Sequence, residues 1–157
     1  YDHIRGNGDF TQVEETVKIF KKFPNVKYVV GACTVQAGNA LQLPQIIDYF
    51  LNTMGIVFYS HRVNYPNVLS AQCLPKKYKD KIITELEYMK ETVTTYPIMD
   101  ADKRLLPITL QQIQDNINFL QAKDLSSKWE QTLEFNRRLD ISRKQKSFES
   151  LINAYAS

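Results

Sequence analysis

Residues 26–63 contain two apolar runs, VKYVVGACTV and IVFYSHRV, joined by the amphipathic segment QAGNALQLPQIIDYFLNTMG. The first run is nearly unbroken and rich in β-branched residues, which is typical of a strand covered on both faces in a helix-flanked parallel sheet. The polar residues 36–39 predict a turn, Pro44 predicts the first turn of a helix, and Gly55 predicts its end. The stretch therefore predicts a βαβ unit with two parallel strands.

The spacing of apolar residues predicts helices on either side of this unit. Val13, Val17 and Phe20 form an apolar stripe before the first strand, and long amphipathic segments follow Pro75. We therefore expect an α/β part over residues 1–75, built as the C-terminal half of a partial (β/α)6 barrel, and a helical region over residues 76–157. Two parallel strands do not make a stable sheet alone, because their outer hydrogen-bonding edges stay open. Since the chain also starts at Tyr1 in a loop-like segment, we expect a fragment whose upstream half-barrel, or a protein partner, supplies further strands.

Composition excludes several classes of protein. The chain has 157 residues, 43% of them hydrophobic, and a net charge of +3, which is too weak a bias to indicate nucleic-acid binding by itself. No apolar run reaches the roughly 18–20 residues of a membrane helix, so no membrane association is expected. Cys33 and Cys73 lie too far apart for a metal knuckle. We expect two reduced cysteines in a cytoplasmic protein and no metal site in this chain.

The predicted strands place a group of polar residues at one edge of the sheet. Ligands of α/β sheets bind at the carboxyl ends of the strands, and the residues there are Thr34, Gln36, Asn39, Tyr59, His61 and Arg62. This rim suits an anionic or nucleoside-like ligand, or consists of ordinary polar loop residues. His61 is a candidate acid–base group or a structural histidine. The basic stretch RRLDISRKQK, residues 137–146, is a solvated helix face or a surface that binds RNA or a partner.

Four motifs resemble the radical S-adenosylmethionine (radical SAM) enzymes, in particular the phage and bacterial twitch-type proteins. The segment YDHIRGNGDF contains Asp2, Arg5 and a glycine before a helix, as after the fourth strand of that family. TVQAGNALQLPQIIDYF resembles the end of the fifth strand and its helix, and NYPNVLSAQCLPKKYKDKI resembles the loop after the sixth strand. LDISRKQKSF is similar to a run near the C-terminus of the family.

This resemblance implies the C-terminal part of a barrel that binds S-adenosylmethionine and a [4Fe–4S] cluster. The family's cluster motif, CxxxCxxC, has no counterpart in this chain, so the resemblance implies that the cluster belongs to an upstream part and that this chain alone is inactive. It assigns Arg5 to the carboxylate of S-adenosylmethionine. By position it also assigns to the cofactor Thr34, Gln36, Asn39, His61 and Val63. The substrate stays open.

Two other functions remain open at this point. The chain is alternatively a truncated, non-enzymatic relative that binds a partner by strand addition. A further alternative is a subunit of an RNA-modifying enzyme that uses the basic C-terminal helix.

Overall fold

The computed structural model describes residues 9–144 and 147–156, with the side chains of residues 100, 155 and 156 excepted. The described chain begins with helix α1 (Phe10–Phe20), strand β1 (Val30–Val35), helix α2 (Leu43–Asp48) and strand β2 (Val57–Arg62). Helices α3 (Lys76–Thr92), α4 (Pro97–Ala101), α5 (Leu105–Ala122), α6 (Trp129–Arg143) and α7 (Phe148–Ala156) follow. Helices therefore dominate the fold, which contains one small two-stranded sheet in the described part of the chain.

The predicted βαβ unit is confirmed as a parallel pair. β1 and β2 pair in register from Val30 opposite Val57 to Val35 opposite Arg62. Helix α2 continues as a π-helical turn over Tyr49–Thr53, and Gly55 follows with a positive φ of 59°, which a glycine adopts without strain. The first strand starts later than predicted, at Val30 rather than at Val26.

The prediction that β1 is covered on both faces is wrong. Its residues alternate between exposed or half-buried and buried, and Val30, Ala32 and Thr34 are exposed. Tyr59 and His61, the β2 partners of Ala32 and Thr34, are exposed as well, whereas Val57 opposite Val30 is buried. Phe58 and Ser60 on the opposite face are buried. Within the described residues, helices therefore cover one face of the sheet, and most of the other face meets solvent.

The covered face packs directly against the α2 segment. A Cβ atom on Gly31 would lie 2.6 Å from the Phe50 ring and 2.8 Å from Ile56 Cδ1. Phe50 also contacts the ring of Phe58, with centroids 6.1 Å apart. Only glycine fits where the strand approaches the helix this closely.

The two outer edges of the sheet differ. Val57 N donates to Val29 O, just before β1, and Val63 N donates to Val35 O at its end. Alternation along a parallel strand therefore directs Ser60 N away from β1. That amide donates to Gln112 Oε1 of α5 at 3.0 Å. By the same alternation the amides of Val30, Ala32 and Thr34 point outward from β1, and no hydrogen bond to them is found in the described part of the chain. The prediction of two open edges is therefore correct for β1 only.

One apolar core connects the sheet with the later helices. It includes Leu43, Phe58, Leu86, Ile113 and Phe148, each no more than 1% exposed. Residues from before and after position 75 thus share a single buried cluster, and the helical region packs on the βαβ unit. The boundary at residue 75 stays a prediction.

Candidate functional site

The carboxyl ends of β1 and β2 bring most of the predicted rim residues together. Thr34 lies opposite His61 in the parallel register, and both side chains are exposed on the uncovered face. Tyr59, two residues before His61, lies on the same face, with the two ring centroids 5.0 Å apart in an edge-on arrangement. This surface offers a hydroxyl, an imidazole and an aromatic ring side by side.

The loop after β1 is held by the side chain of Asn39. Its Oδ1 accepts a hydrogen bond from Gln36 N at 3.0 Å, and its Nδ2 donates to Thr34 O at 3.0 Å. Asn39 therefore positions Thr34 and Gln36, and both ends of its amide are already engaged. The position of Asn39 in the sequence, five residues after Thr34, does not by itself show that its side chain holds the loop.

The loops that follow the two strands are tied to each other. Ala37 N donates to Leu69 O at 2.8 Å, and Val63 N donates to Val35 O at 3.0 Å, which extends the ladder past β2. Val63 is half-buried at this end of the sheet. The rim is thus built on backbone hydrogen bonds, which preorganises it.

Arg62 does not belong to the rim. It pairs with Val35 in the register and shares its covered face. Its Nη1 lies 3.8 Å from Asp115 Oδ2 of α5. Strand alternation explains this direction, because neighbouring residues of a strand point to opposite faces. Arg5 lies outside the described residues, and its assignment stays a prediction.

Two grooves lie apart from the rim, on which the side chains of Thr34, Tyr59 and His61 are exposed. A groove of about 430 Å³ lies at the other end of the strands and is lined by residues such as Tyr28 and Gly55. A second groove, of about 570 Å³, lies between α2 and α3. The rim residues line neither groove, so a ligand held at the rim needs a further covering element.

The two cysteines do not fit an iron–sulfur cluster. Cys33 and Cys73 are both buried free thiols, and Cys73 Sγ donates to Asn67 O at 2.9 Å. Burial raises the pKa of the Cys33 thiol to about 11 and also raises the pKa of Cys73, which disfavours the thiolate that binds iron. Residues 9–144 and 147–156 contain no group of three or more metal-ligating side chains, as far as those side chains are described.

This chain matches no family model, no curated protein and no solved structure. The resemblance to radical SAM proteins therefore rests on the short motifs of the sequence alone.

Several residues of those motifs have packing roles in this structure. Leu43 and Leu74 are buried in the core. Asp140 Oδ2 accepts a hydrogen bond from Phe148 N at 2.7 Å, at the start of α7, and the ring of buried Phe148 contacts Trp129. Asp140 thus connects the end of α6 to the first residue of α7, a contact that the sequence did not indicate.

The basic stretch is partly neutralised by its neighbours. Arg137 pairs with Glu149 at 2.5 Å, and Arg138 pairs with Glu134 at 2.7 Å. Such exposed pairs contribute little to stability, but they lower the positive potential that RNA would meet. Of the described helices, none is both long and apolar enough to span a membrane.

Proposed function

We propose that this chain is the C-terminal part of a twitch-type radical SAM protein and forms one wall of its S-adenosylmethionine site. The observation that supports this proposal is the unfinished sheet. A two-stranded parallel sheet with one bare face and an unpaired β1 edge is marginal alone. In the proposed protein, an upstream half-barrel continues the sheet beyond β1, and the bare face then lines the interior of a partial barrel.

The uncovered face supplies the contacts to the cofactor. Thr34 and His61 provide hydrogen-bonding groups for the nucleoside part, and Asn39 keeps the loop with Gln36 in place. Val63 provides an apolar contact at the end of β2. We assign Arg5 to the carboxylate of the methionine part, because a guanidinium binds a carboxylate through two parallel hydrogen bonds.

The cofactors divide between this chain and the upstream part. In the proposed protein, S-adenosylmethionine bound beside a reduced [4Fe–4S] cluster would supply radical chemistry. Cys33 and Cys73 do not hold the cluster, so its ligands come from the upstream part, and this chain alone is inactive. Its role is to bind and orient the cofactor and to exclude water from it, in the cytoplasm, where the free cysteines stay reduced.

Binding of S-adenosylmethionine to the protein made from its complete gene tests this assignment. We expect Arg5→Ala to weaken binding by about tenfold or more, since a hydrogen bond between charged groups contributes about 1.5–3 kcal/mol. Arg138→Ala, which removes a surface arginine paired with Glu134, is the matched control and leaves binding unchanged. Equal affinities for the wild type and Arg5→Ala contradict the role of Arg5.

The unpaired edge of β1 also favours a second candidate function. In this alternative, the chain acts without an upstream half-barrel. It binds an extended segment of another protein, which pairs with the edge of β1 as a further strand. The edge amides of Val30, Ala32 and Thr34 then provide the affinity, and the exposed side chains of Val30 and Tyr59 provide the specificity. This candidate needs no cofactor, which distinguishes it from the first.

A further inference from the structure

The outer edge of β1 has no feature that would keep another strand from pairing with it. Natural proteins usually protect an edge strand with charged side chains, prolines or a β-bulge. The sequence of β1 is VGACTV, and residues 28–47 contain no charged residue. β1 pairs with β2 in an unbroken register from Val30 to Val35, so the strand has no bulge. This edge is therefore open to a further strand.

The outer edge of β2 is covered by helix α5. Ser60 N and Ser60 Oγ both donate to Gln112 Oε1, at 3.0 and 3.1 Å. Asn116 Nδ2 donates to Ser60 Oγ at 2.9 Å, and the side chains of Ser60 and Asn116 are buried. A strand that approached β2 would have to displace this polar contact. Growth of the sheet is therefore limited to the β1 side.

The open part of the β1 edge is complementary to itself. The N–H and C=O groups of one strand residue point to the same side, so Val30 and Ala32 each present a donor and an acceptor outward. Farther along the strand, Thr34 O already accepts a hydrogen bond from Asn39 Nδ2 at 3.0 Å. An antiparallel copy of β1 centred on Gly31 places Val30 of each copy opposite Ala32 of the other. This register pairs an exposed branched side chain with an exposed small one and does not use the occupied carbonyl.

We propose that the β1 edge pairs with β1 of a second copy of this chain, around a two-fold axis at Gly31. The inference rests on the second candidate function, strand addition at this edge, and names its partner. Because a single edge holds one strand, the self-pairing applies to the chain without an upstream half-barrel.

Three features of the sheet favour a second copy as the added strand. A two-fold axis brings like charges together, and residues 28–47 carry none. The two-stranded sheets of two copies join into one sheet of four strands, the size range in which a sheet becomes stable. Since α5 covers the β2 edge of each copy, the assembly closes as a dimer.

Sedimentation equilibrium of the 157-residue chain tests the proposal. An interface made by one short strand is small, so we expect a reversible, weak dimer with a Kd of about 10–100 µM. Hydrogen exchange of the Ala32 amide is expected to slow as the dimer forms, because its N–H is hydrogen-bonded only in the dimer. A chain that stays monomeric up to about 500 µM overturns the proposal.

Two substitutions at Ala32 locate the contact. Ala32→Pro removes the outward N–H and leaves the hydrogen bonds between β1 and β2 in place, so we expect the Kd of the dimer to rise at least about tenfold. Ala32→Ser keeps the N–H and a small exposed side chain, and its Kd is expected to lie within about twofold of the wild-type value. An equal Kd for Ala32→Pro and the wild type shows association through another surface and overturns the proposal. The exchange of the Ala32 amide in the wild type tests the same contact without a substitution.

Amide exchange also separates failure of the self-pairing from failure of strand addition. In a monomer whose Ala32 amide exchanges as fast as a free strand edge, the self-pairing is wrong, and the edge stays open to a segment of another protein. In a monomer whose Ala32 amide is protected as strongly as the Ser60 amide, which is bonded to Gln112, the edge is already occupied within the chain. Strand addition at β1 is then wrong as well.

Discussion

Replacing Phe58 with alanine is expected to lower the free energy of unfolding by about 3–5 kcal/mol, the usual cost of truncating a fully buried aromatic residue. Phe58 is 0% exposed on the covered face of β2 and packs against the ring of Phe50. Its removal leaves a cavity that the paired strand and the helix cannot fill without moving. Chemical denaturation of the 157-residue chain, followed by circular dichroism, measures the change.

The next residue of the same strand is the matched control. Tyr59 is 42% exposed on the uncovered face, so Tyr59→Ala is expected to cost about 1 kcal/mol or less. The comparison tests the one-sided cover of the sheet, because an equal loss in both variants would show that both faces are buried. That result would contradict the architecture described above.

Replacing Asn39 with alanine is expected to lower the free energy of unfolding by about 1–2 kcal/mol, because two hydrogen bonds that hold the β1 loop are lost. Gln36 N and Thr34 O both lose their partner. Gln36 and Thr34 then shift. Under the proposed function, the affinity for S-adenosylmethionine of the protein expressed from its complete gene is expected to fall about tenfold, which corresponds to a loss of about 1.4 kcal/mol in binding free energy. Thermal unfolding and equilibrium binding measure the two effects.

Asn64 provides the control for this prediction. It is an exposed loop residue after the other strand, and no side-chain hydrogen bond of Asn64 is found in the described part of the chain. Asn64→Ala is expected to leave the unfolding free energy within about 0.5 kcal/mol of the wild type. If Asn39→Ala behaves in the same way, the amide of Asn39 does not hold the loop.

The sequence predicted the βαβ unit correctly because hydrophobic periodicity and the turn residues act locally. Gly55 and Pro44 lie where the local signals place them. The pattern predicted cover on both faces of β1, and this is wrong for one face, because an apolar run does not show which elements pack on it. The close approach at Gly31 also depends on Phe50, a residue from another element, and no local pattern contains that contact.

The candidate site was predictable in position but not in detail. Parallel strands bring their carboxyl ends together, so Thr34 and His61 meet as expected. Strand alternation also explains why Arg62 points to α5. The role of Asn39 as a loop brace and that of Asp140 as the partner of Phe148 N depend on side-chain directions that spacing alone does not define.

The exposed apolar residues at the end of α1 and just after it agree with the account of an unfinished structure. Ile19 and Phe20 on α1, and Phe23 after it, are each about half exposed. Only Val17 of α1 is buried among the described residues of that helix. In the proposed protein the upstream part covers these side chains together with the free edge of β1. The same missing part then explains both the exposed apolar side chains and the unpaired strand edge.

The most direct test of the central claim is the intact mass and iron content of the protein expressed from its complete gene and purified without oxygen. The account predicts a mass above the 18.3 kDa of this chain, with about four iron atoms per polypeptide after reconstitution. A polypeptide of 18.3 kDa that takes up no iron would contradict the radical SAM proposal. That result would leave strand addition at the β1 edge as the function that the sheet supports.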